Sequence, residues 1–309
     1  MVFTYKRLTD ALLPDLQLVF KNVFKKHLSL EYLKLKYDNS LHGGKYMAYL
    51  AYTENGEPIG FHGGTFYQME YQGNVKTIIQ GGDSMTDERF QGKGLFTKLG
   101  KIMQAKAEEE HVEFIYGFPN QNSYPGYIKK LDWKFTENMQ CFSIPVRAIQ
   151  FESFYRKLGL NELYQQLAVG VFKKHLVESR DFASTVITDE YGGIRRDDRF
   201  YDYKRYSRNY ILSIEDCKVW IKINGAIHVG DIENKSDDIK NKVIAKLKKI
   251  ARRLGVSKII FQASPNTHIS THLSKLYPYQ ETFPIGFYKI NSDIPLEKLK
   301  FTYGDLDTF

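Results

Sequence analysis

The stretch TDERFQGKGLFTKLGKIM, residues 86–103, sets Gly92 and Gly94 directly ahead of a segment with helical periodicity. Serine or aspartate is the usual helix start, so two glycines there need a reason. Glycine carries no side chain, and consecutive backbone N–H groups at a helix start can then approach a bulky anion, which the helix dipole also favours. The segment is neither of two familiar phosphate loops. QGKGLF is not G-x-x-x-x-G-K-[ST], and a dinucleotide fingerprint would need glycine where Thr97 stands.

The elements that must position this loop can be read from the flanking sequence. A short strand over Val2–Lys6 is followed by a helix with Leu12, Leu16, Val19, Phe20 and Val23 at three-to-four spacing, then a second helix capped by Ser29. Three strands follow, KYMAYLAY, EPIGFHGGTFYQMEY and NVKTIIQGGDSMT, joined by the turns TENGEP and YQGN. After the glycines come a helix to about Glu110 with Phe96, Leu99, Ile102 and Met103 on one face, the strand HVEFIYGF, a short helix from near Pro125 and the strand DWKFTENMQCFSIPV. Residues 150–180 read as amphipathic helix.

HVEFIYGFPNQNSYPGYIKKLDWKF then finds an echo in VSKIIFQASPNTHISTHLSKLYPYQ, with Pro-Asn at 119–120 and 265–266 and Lys-Leu at 130–131 and 275–276. Two units of one architecture in tandem are expected. The corresponding turn of the second unit, GDIENKSDDIKNKVIAKL, has no glycine pair, so the glycines of the first serve something other than topology.

In this context, Gln91-Gly92-Lys93-Gly94-Leu95-Phe96 resembles the pyrophosphate loop of the GNAT acetyltransferases, [QR]-x-x-G-x-[GA] after an antiparallel strand. The first four positions match, and Phe96 departs from the small sixth residue. Asn120, Ser123 and Tyr127 satisfy the family's N-x-x-[AS]-x-x-x-Y. The resemblance implies an α+β fold with a mixed central sheet flanked by helices, in two copies of which the second is degenerate. Domains are expected at 1–148 (catalytic), 149–190 (helical connector) and 191–309 (degenerate copy), with the second copy walling one side of the acceptor site.

The resemblance further implies acetyl-CoA as co-substrate, its phosphates on the glycine loop with Lys93 and Lys98 nearby, and its pantetheine arm held by Asn120. Tyr127 would protonate the departing thiolate, since a phenol of pKa about 10 stays protonated at pH 7 yet can donate. The family's Gly-aromatic pair lies four residues after that tyrosine, whereas Asp132-Trp133 begins five after Tyr127, so Tyr124 is a rival. A bulge at Gly81-Gly82 would direct a backbone N–H of Ser84, Met85 or Thr86 to the oxyanion. Asp83 is the base candidate, the other reading being that it bonds local backbone. Eis-type members with tandem domains place a terminal carboxylate in the active site, which makes Phe309 a second candidate; a frayed end is the alternative.

Composition bounds these readings. The 309 residues are 42% hydrophobic and 26% charged, which is globular, and the 22 Tyr and 21 Phe suit dense cores and apolar grooves. Cys141 and Cys217 lie in no metal or redox spacing, and no leader or membrane span is evident, so a cytoplasmic protein is expected. His268 and His272 lack the Glu of H-E-x-x-H, and no metal is expected. His62 reads as a core or surface histidine.

The net charge of +8 favours anionic ligands. The basic segment Lys240–Arg253 keeps core spacing at Val243, Ile244, Leu247, Ile250 and Leu254, so neither nucleic acid nor membrane is the expected partner. The reading is an acetyl-CoA-dependent N-acetyltransferase acting on a small-molecule or peptide amine. Its rivals are an aminoacyl-tRNA-dependent transferase of the peptidoglycan-bridge type and a non-catalytic acyl-CoA-binding protein. The acceptor and the oligomeric state are left open.

Overall fold

The computed structural model describes residues 1–40, 46–178 and 182–309; Lys45 of the expected second strand and residues 179–181 of the expected connector lie outside the described residues. Along the chain run β1 (Phe3–Arg7), α1 (Leu13–Phe24), α2 (Leu30–Tyr37), β2 (Met47–Thr53), β3 (Pro58–Tyr71), β4 (Asn74–Thr86), α3 (Leu95–Glu109), β5 (Phe114–Gly117), α4 (Tyr124–Leu131) and β6 (Lys134–Pro145). There follow α5 (Phe151–Lys157), α6 (Asn161–Phe172), α7 (Thr185–Thr188), β7 (Gly193–Ile194), α8 (Asp198–Tyr203), β8 (Tyr210–Ile214), β9 (Cys217–Ile223), β10 (Ile227–Ile232), α9 (Asp237–Leu254), β11 (Lys258–Ala263), α10 (His268–Ser274) and β12 (Tyr279–Lys289). No described helix is long and apolar enough to cross a membrane.

The chain divides into two compact units. The first comprises Met1–Thr136, Asp202–Tyr206 and Phe283–Glu297. Its sheet runs β1-β2-β3-β4 antiparallel, then β5 parallel to β4, and closes with the second half of β12 antiparallel to β5. Helices α1 and α2 cover one face: Leu16, Val19 and Phe20 of α1 and Leu33 of α2 pack with Phe61 and Met85. The Ser29 hydroxyl caps α2 by accepting from Tyr32 N, as its position predicts. Helix α3 covers the other face with Leu95, Leu99 and Met103, while Phe96 and Ile102 are only partly buried. The hydrophobic stripe is therefore one residue out of phase with the expected one at its start, which turns Phe96 toward α4. The segment Asp202–Tyr206 is tied in by the Tyr203 hydroxyl, which donates to Lys36 O at 2.9 Å.

The second unit comprises Glu137–Tyr201, Ser207–Thr282 and Lys298–Phe309. Strands β8-β9-β10 are antiparallel, β11 lies parallel to β10, and β6 pairs antiparallel with β11. Three antiparallel strands, a helix, a parallel strand, a helix and a strand thus follow one another in both halves of the chain. The final strands are exchanged, because β6 follows α4 in sequence but serves the second sheet, and β12 follows α10 but closes the first.

The expected boundaries at 148 and 190 therefore differ from the observed division. Residues 149–190 form no separate connector either: Tyr164, Ala168 and Phe172 of α6 belong to the core built by β9, β10, β11 and α9.

Candidate functional site

Strand β4 ends at Thr86, and Asp87 turns the chain by donating its N–H to Ile59 O at 2.8 Å and accepting from Arg89 N at 3.0 Å. One 3-10 turn, Glu88–Phe90, leads into the glycine loop. Gly92 has φ +75° and Gly94 φ +81°, a left-handed conformation that costs other residues about 1–2 kcal/mol. A Cβ at either position would meet nothing within 4 Å, so the glycines make room for no protein neighbour. No side chain caps Gly94, and the first N–H groups of α3 have no intrahelical acceptor. In the second unit, by contrast, Ser236 caps α9 by accepting from Ile239 N, and Asp237 and Asp238 occupy the first turn. The start of α3 is thus open and uncapped, and that of α9 is capped and acidic.

The loop faces a cleft of about 350 Å³ completed by α4, with Gly92, Gly94, Phe96, Asn122, Lys129 and Lys130 among its walls. Lys129 and Lys130 supply cations that the sequence reading missed; the expected Lys93 and Lys98 do not line it. Of the loop residues, Leu95 turns its side chain into the core at 2% exposure and offers only backbone, and Gln91 donates through Nε2 to Thr86 O at 3.5 Å. Asn120 and Ser123 lie at the turn into α4. Asn120 Oδ1 accepts from Asn122 N at 2.9 Å and Ser123 N at 3.1 Å, so it fixes the turn, and Asn122 is the asparagine on the cleft wall.

The two tyrosines of α4 part company. Tyr127 is 5% exposed, with its ring 4.4 Å from Trp133, 5.2 Å from Phe96 and 6.4 Å from His62. Tyr124 instead stacks edge-on against Phe135 at 4.5 Å. Asp132 takes the left-handed C-cap, φ +57°, that glycine takes in the resembled pattern, and this brings Trp133 back onto Tyr127. Tyr127 is thus the tyrosine brought to Phe96 and the sheet.

Beneath them, β3 and β4 pair His62 with Ser84 and Gly64 with Gly81, leaving Gly82-Asp83 opposite Gly63 alone. The bulge lies one residue beyond the expected Gly81-Gly82. Because Asp87 N bonds Ile59 O, the antiparallel alternation turns Met85 N–H toward β3 and the N–H groups of Ser84 and Thr86 to the opposite side. On that side, β5 pairs with β4 only at Ile79–Ile115 and Gln80–Tyr116. Ser84 and Thr86 are therefore the available backbone donors. Met85 has its side chain in the α1–α2 core and its N–H in the ladder.

Asp83 requires a correction. Its carboxylate pairs with Lys36 Nζ and accepts from the Tyr37 hydroxyl at 2.5 Å. Burial alone would raise this carboxyl, but the Lys36 ammonium and the Tyr37 hydroxyl hold it below the ordinary range. A carboxylate so committed is a poor proton acceptor, and the expected backbone-bonding alternative also gives way to side-chain partners.

Phe309, the other base candidate, lies in the second unit. Its ring is buried in the second unit, 4.7 Å from Trp220 and 5.5 Å from Tyr303, and its main-chain oxygen accepts from Lys222 Nζ at 3.4 Å. That end is anchored, not frayed.

His62, expected in the core or at the surface, is fully buried on the face toward Phe96 and Tyr127. Its Nδ1 lies 3.1 Å from Ser84 Oγ, Nε2 has no hydrogen-bond partner among the described residues, and burial lowers the imidazole to about 4. The ring is neutral at pH 7.

The second unit has its own cleft, about 360 Å³, at the start of α9 and along α10. Its wall carries Asp189, Asp237, His268 and His272 in place of glycines. Asp237 lies 3.1 Å from Lys240 Nζ and 3.0 Å from His272 Nδ1, so this polar network is self-paired and its carboxylates oppose an anion. Among the described residues, no group of three His, Cys, Asp or Glu side chains is placed to hold a metal ion.

No family model matches the chain, and no curated protein matches it. Solved structures do. A conserved protein of unknown function from Enterococcus faecalis superposes with TM-score 0.63 at 12% identity, over 94% of this chain and 73% of that one. A GCN5-related N-acetyltransferase from Kribbella flavida gives TM-score 0.59 at 11% identity, over 94% and 71% of the two chains. Another from Anabaena variabilis gives 0.58 at 13%, over 94% and 73%. Likeness over nearly the whole chain, joined to a mixed sheet with flanking helices in each unit, identifies the architecture: the chain has the fold of the GCN5-related N-acetyltransferases.

Proposed function

We propose that the chain is an acetyl-CoA-dependent N-acetyltransferase that passes the acetyl group to a primary amine by direct attack on the thioester. The observation that carries this reading is the pair of left-handed glycines with open space before them at an uncapped helix start. The pyrophosphate would take the free N–H groups of the first turn of α3, and Lys129 and Lys130 the remaining phosphate charge.

The amine lone pair forms the C–N bond while the carbonyl electrons move to oxygen, where Ser84 or Thr86 N–H donates to the oxyanion. Collapse breaks the C–S bond, and Tyr127 gives the thiolate its proton. The acceptor gives its ammonium proton to water before it attacks, and the proton its nitrogen sheds on collapse returns through water to the Tyr127 phenolate, since Asp83 is held by Lys36. A cytoplasmic location belongs to the same proposal and is supported by Cys141 and Cys217, both free. Neither membrane nor nucleic acid enters it.

Release of thiol from acetyl-CoA across a panel of amino sugars, polyamines, amino acids and lysine peptides tests the reading. Turnover that falls about 100-fold in kcat in Tyr127→Phe and is unchanged in Tyr124→Phe supports it. Acetyl-CoA binding without thiol release on any amine would favour the non-catalytic alternative, toward which the 5% exposure of Tyr127 points. The tRNA-dependent alternative draws support from the net charge of +8 but has no use for the glycine loop.

A further inference from the structure

Residues 150–180 read as amphipathic, with one apolar face to spend on a core, yet α6 of the second unit carries two such faces. Tyr164, Ala168 and Phe172 pack into the core. Leu160, Leu163 and Leu167, at helical spacing, form a second stripe that stands in solvent. On α5 the pattern repeats: Phe154 and Leu158 are more than half exposed, and Ile149 just ahead is 85% exposed. The rings of Tyr155 and Tyr164 lie 5.8 Å apart, so the two stripes sit on adjoining helices. A single exposed leucine needs no explanation, but six large apolar side chains in one run mark an interaction surface.

The charges around the stripes say what covers them. Between residues 147 and 174 the exposed charged side chains are Arg147, Arg156, Lys157, Lys173 and Lys174 against Glu162 alone. Glu162 is itself taken up, accepting from Arg208 Nη2 at 2.6 Å. The exposed Arg252 and Arg253 end α9 beside α5, where a Cβ on Gly255 would lie 2.5 Å from the Phe151 ring. A second copy docked by two-fold symmetry would set these cations against their own kind. A protein partner would need holes matched to side chains that protrude. An anionic bilayer surface needs neither, because headgroups pair with Lys and Arg while the acyl boundary takes up Leu and Phe. We propose that α5 and α6 dock the second unit on an anionic membrane surface, with Phe154, Leu163 and Leu167 inserted among the lipids and the flanking cations on the headgroups. Helix α6 has 12 residues, too few to cross a bilayer, and lies in the interface plane. The transfer reaction needs no membrane, so this inference is independent of the acyl-CoA reading.

The test is cosedimentation of the full chain with vesicles of phosphatidylcholine alone and of phosphatidylcholine and phosphatidylserine in equal parts. Wild type is expected to bind the anionic vesicles at least about 10-fold more tightly than the neutral ones, and high salt to release it. Joint substitution Leu163→Gln and Leu167→Gln should weaken anionic-vesicle binding by about 10-fold or more, and Arg156→Gln with Lys157→Gln by about 10-fold. These side chains are exposed or nearly so, and both double variants should keep the wild-type melt. Wild type that stays in the supernatant, equal binding to the two vesicles, or binding unmoved by either pair of substitutions overturns the proposal. A dimer in solution that the leucine pair dissociates, with no vesicle bound, also overturns it and makes the face an interface between copies.

Discussion

His62 and Ser84 face each other across β3 and β4, with the imidazole Nδ1 3.1 Å from the serine hydroxyl and the whole ring out of solvent. The folded protein protonates this ring only near pH 4, while the unfolded chain does so near 6.5. The unfolded state therefore binds the extra proton between those values. Stability is full above about 6.5 and falls as pH drops through the window, by at most about 3 kcal/mol. Urea midpoints at pH 7.5 and 4.5 check this: His62→Gln should show a shallower loss than wild type, and equal losses would contradict it.

Gly94→Ala places a Cβ in open space at φ +81°, so its cost is backbone strain alone. A drop of about 1 kcal/mol in unfolding free energy is expected, together with weaker acetyl-CoA binding. A stability unchanged within error would mean the left-handed turn is not required.

Ser236→Ala is the control in the second unit. Loss of its hydroxyl bond to Ile239 N at 3.4 Å should cost about 1 kcal/mol. Acetyl-CoA affinity should stay the same, because the acidic first turn of α9 offers no anion cradle. Binding of two coenzyme A molecules per chain would contradict this.

A chain ending near residue 190 should not fold as a soluble unit, although the expected boundary there would leave the first domain whole. It lacks Phe283–Lys289, which closes the first sheet against β5, and leaves that edge of β5 unpaired. Insolubility, or a noncooperative melt relieved by adding a peptide spanning residues 279–297, is the expected result. Cooperative unfolding of the truncated chain alone would refute it.

Much of this was legible because periodicity, caps and turns are local. Ser29 announced α2, and the Pro-Asn echoes at 119–120 and 265–266 announced the repeated order of elements. The glycine loop stood out because the matching turn of the second unit ends in the serine cap Ser236. The strand exchange was not legible: β6 and β12 are both mixed aromatic and polar strands, and alternation defines a strand without naming its partner. Nor could spacing show that Lys36, 47 positions before Asp83, would neutralise it. Lys129 and Lys130 were hidden by the tyrosine pattern just ahead of them, and the Phe309 ring declares its packing only once Trp220 and Tyr303 are beside it.

The central claim is that the Gly92–Gly94 loop receives acetyl-CoA, and calorimetric titration of wild type beside Gly94→Glu tests it most directly. One site per chain in wild type, with binding lost in a variant that keeps a cooperative melt, is the predicted result. A folded wild type that takes up no acetyl-CoA, or a Gly94→Glu variant that binds it undiminished, would contradict the account.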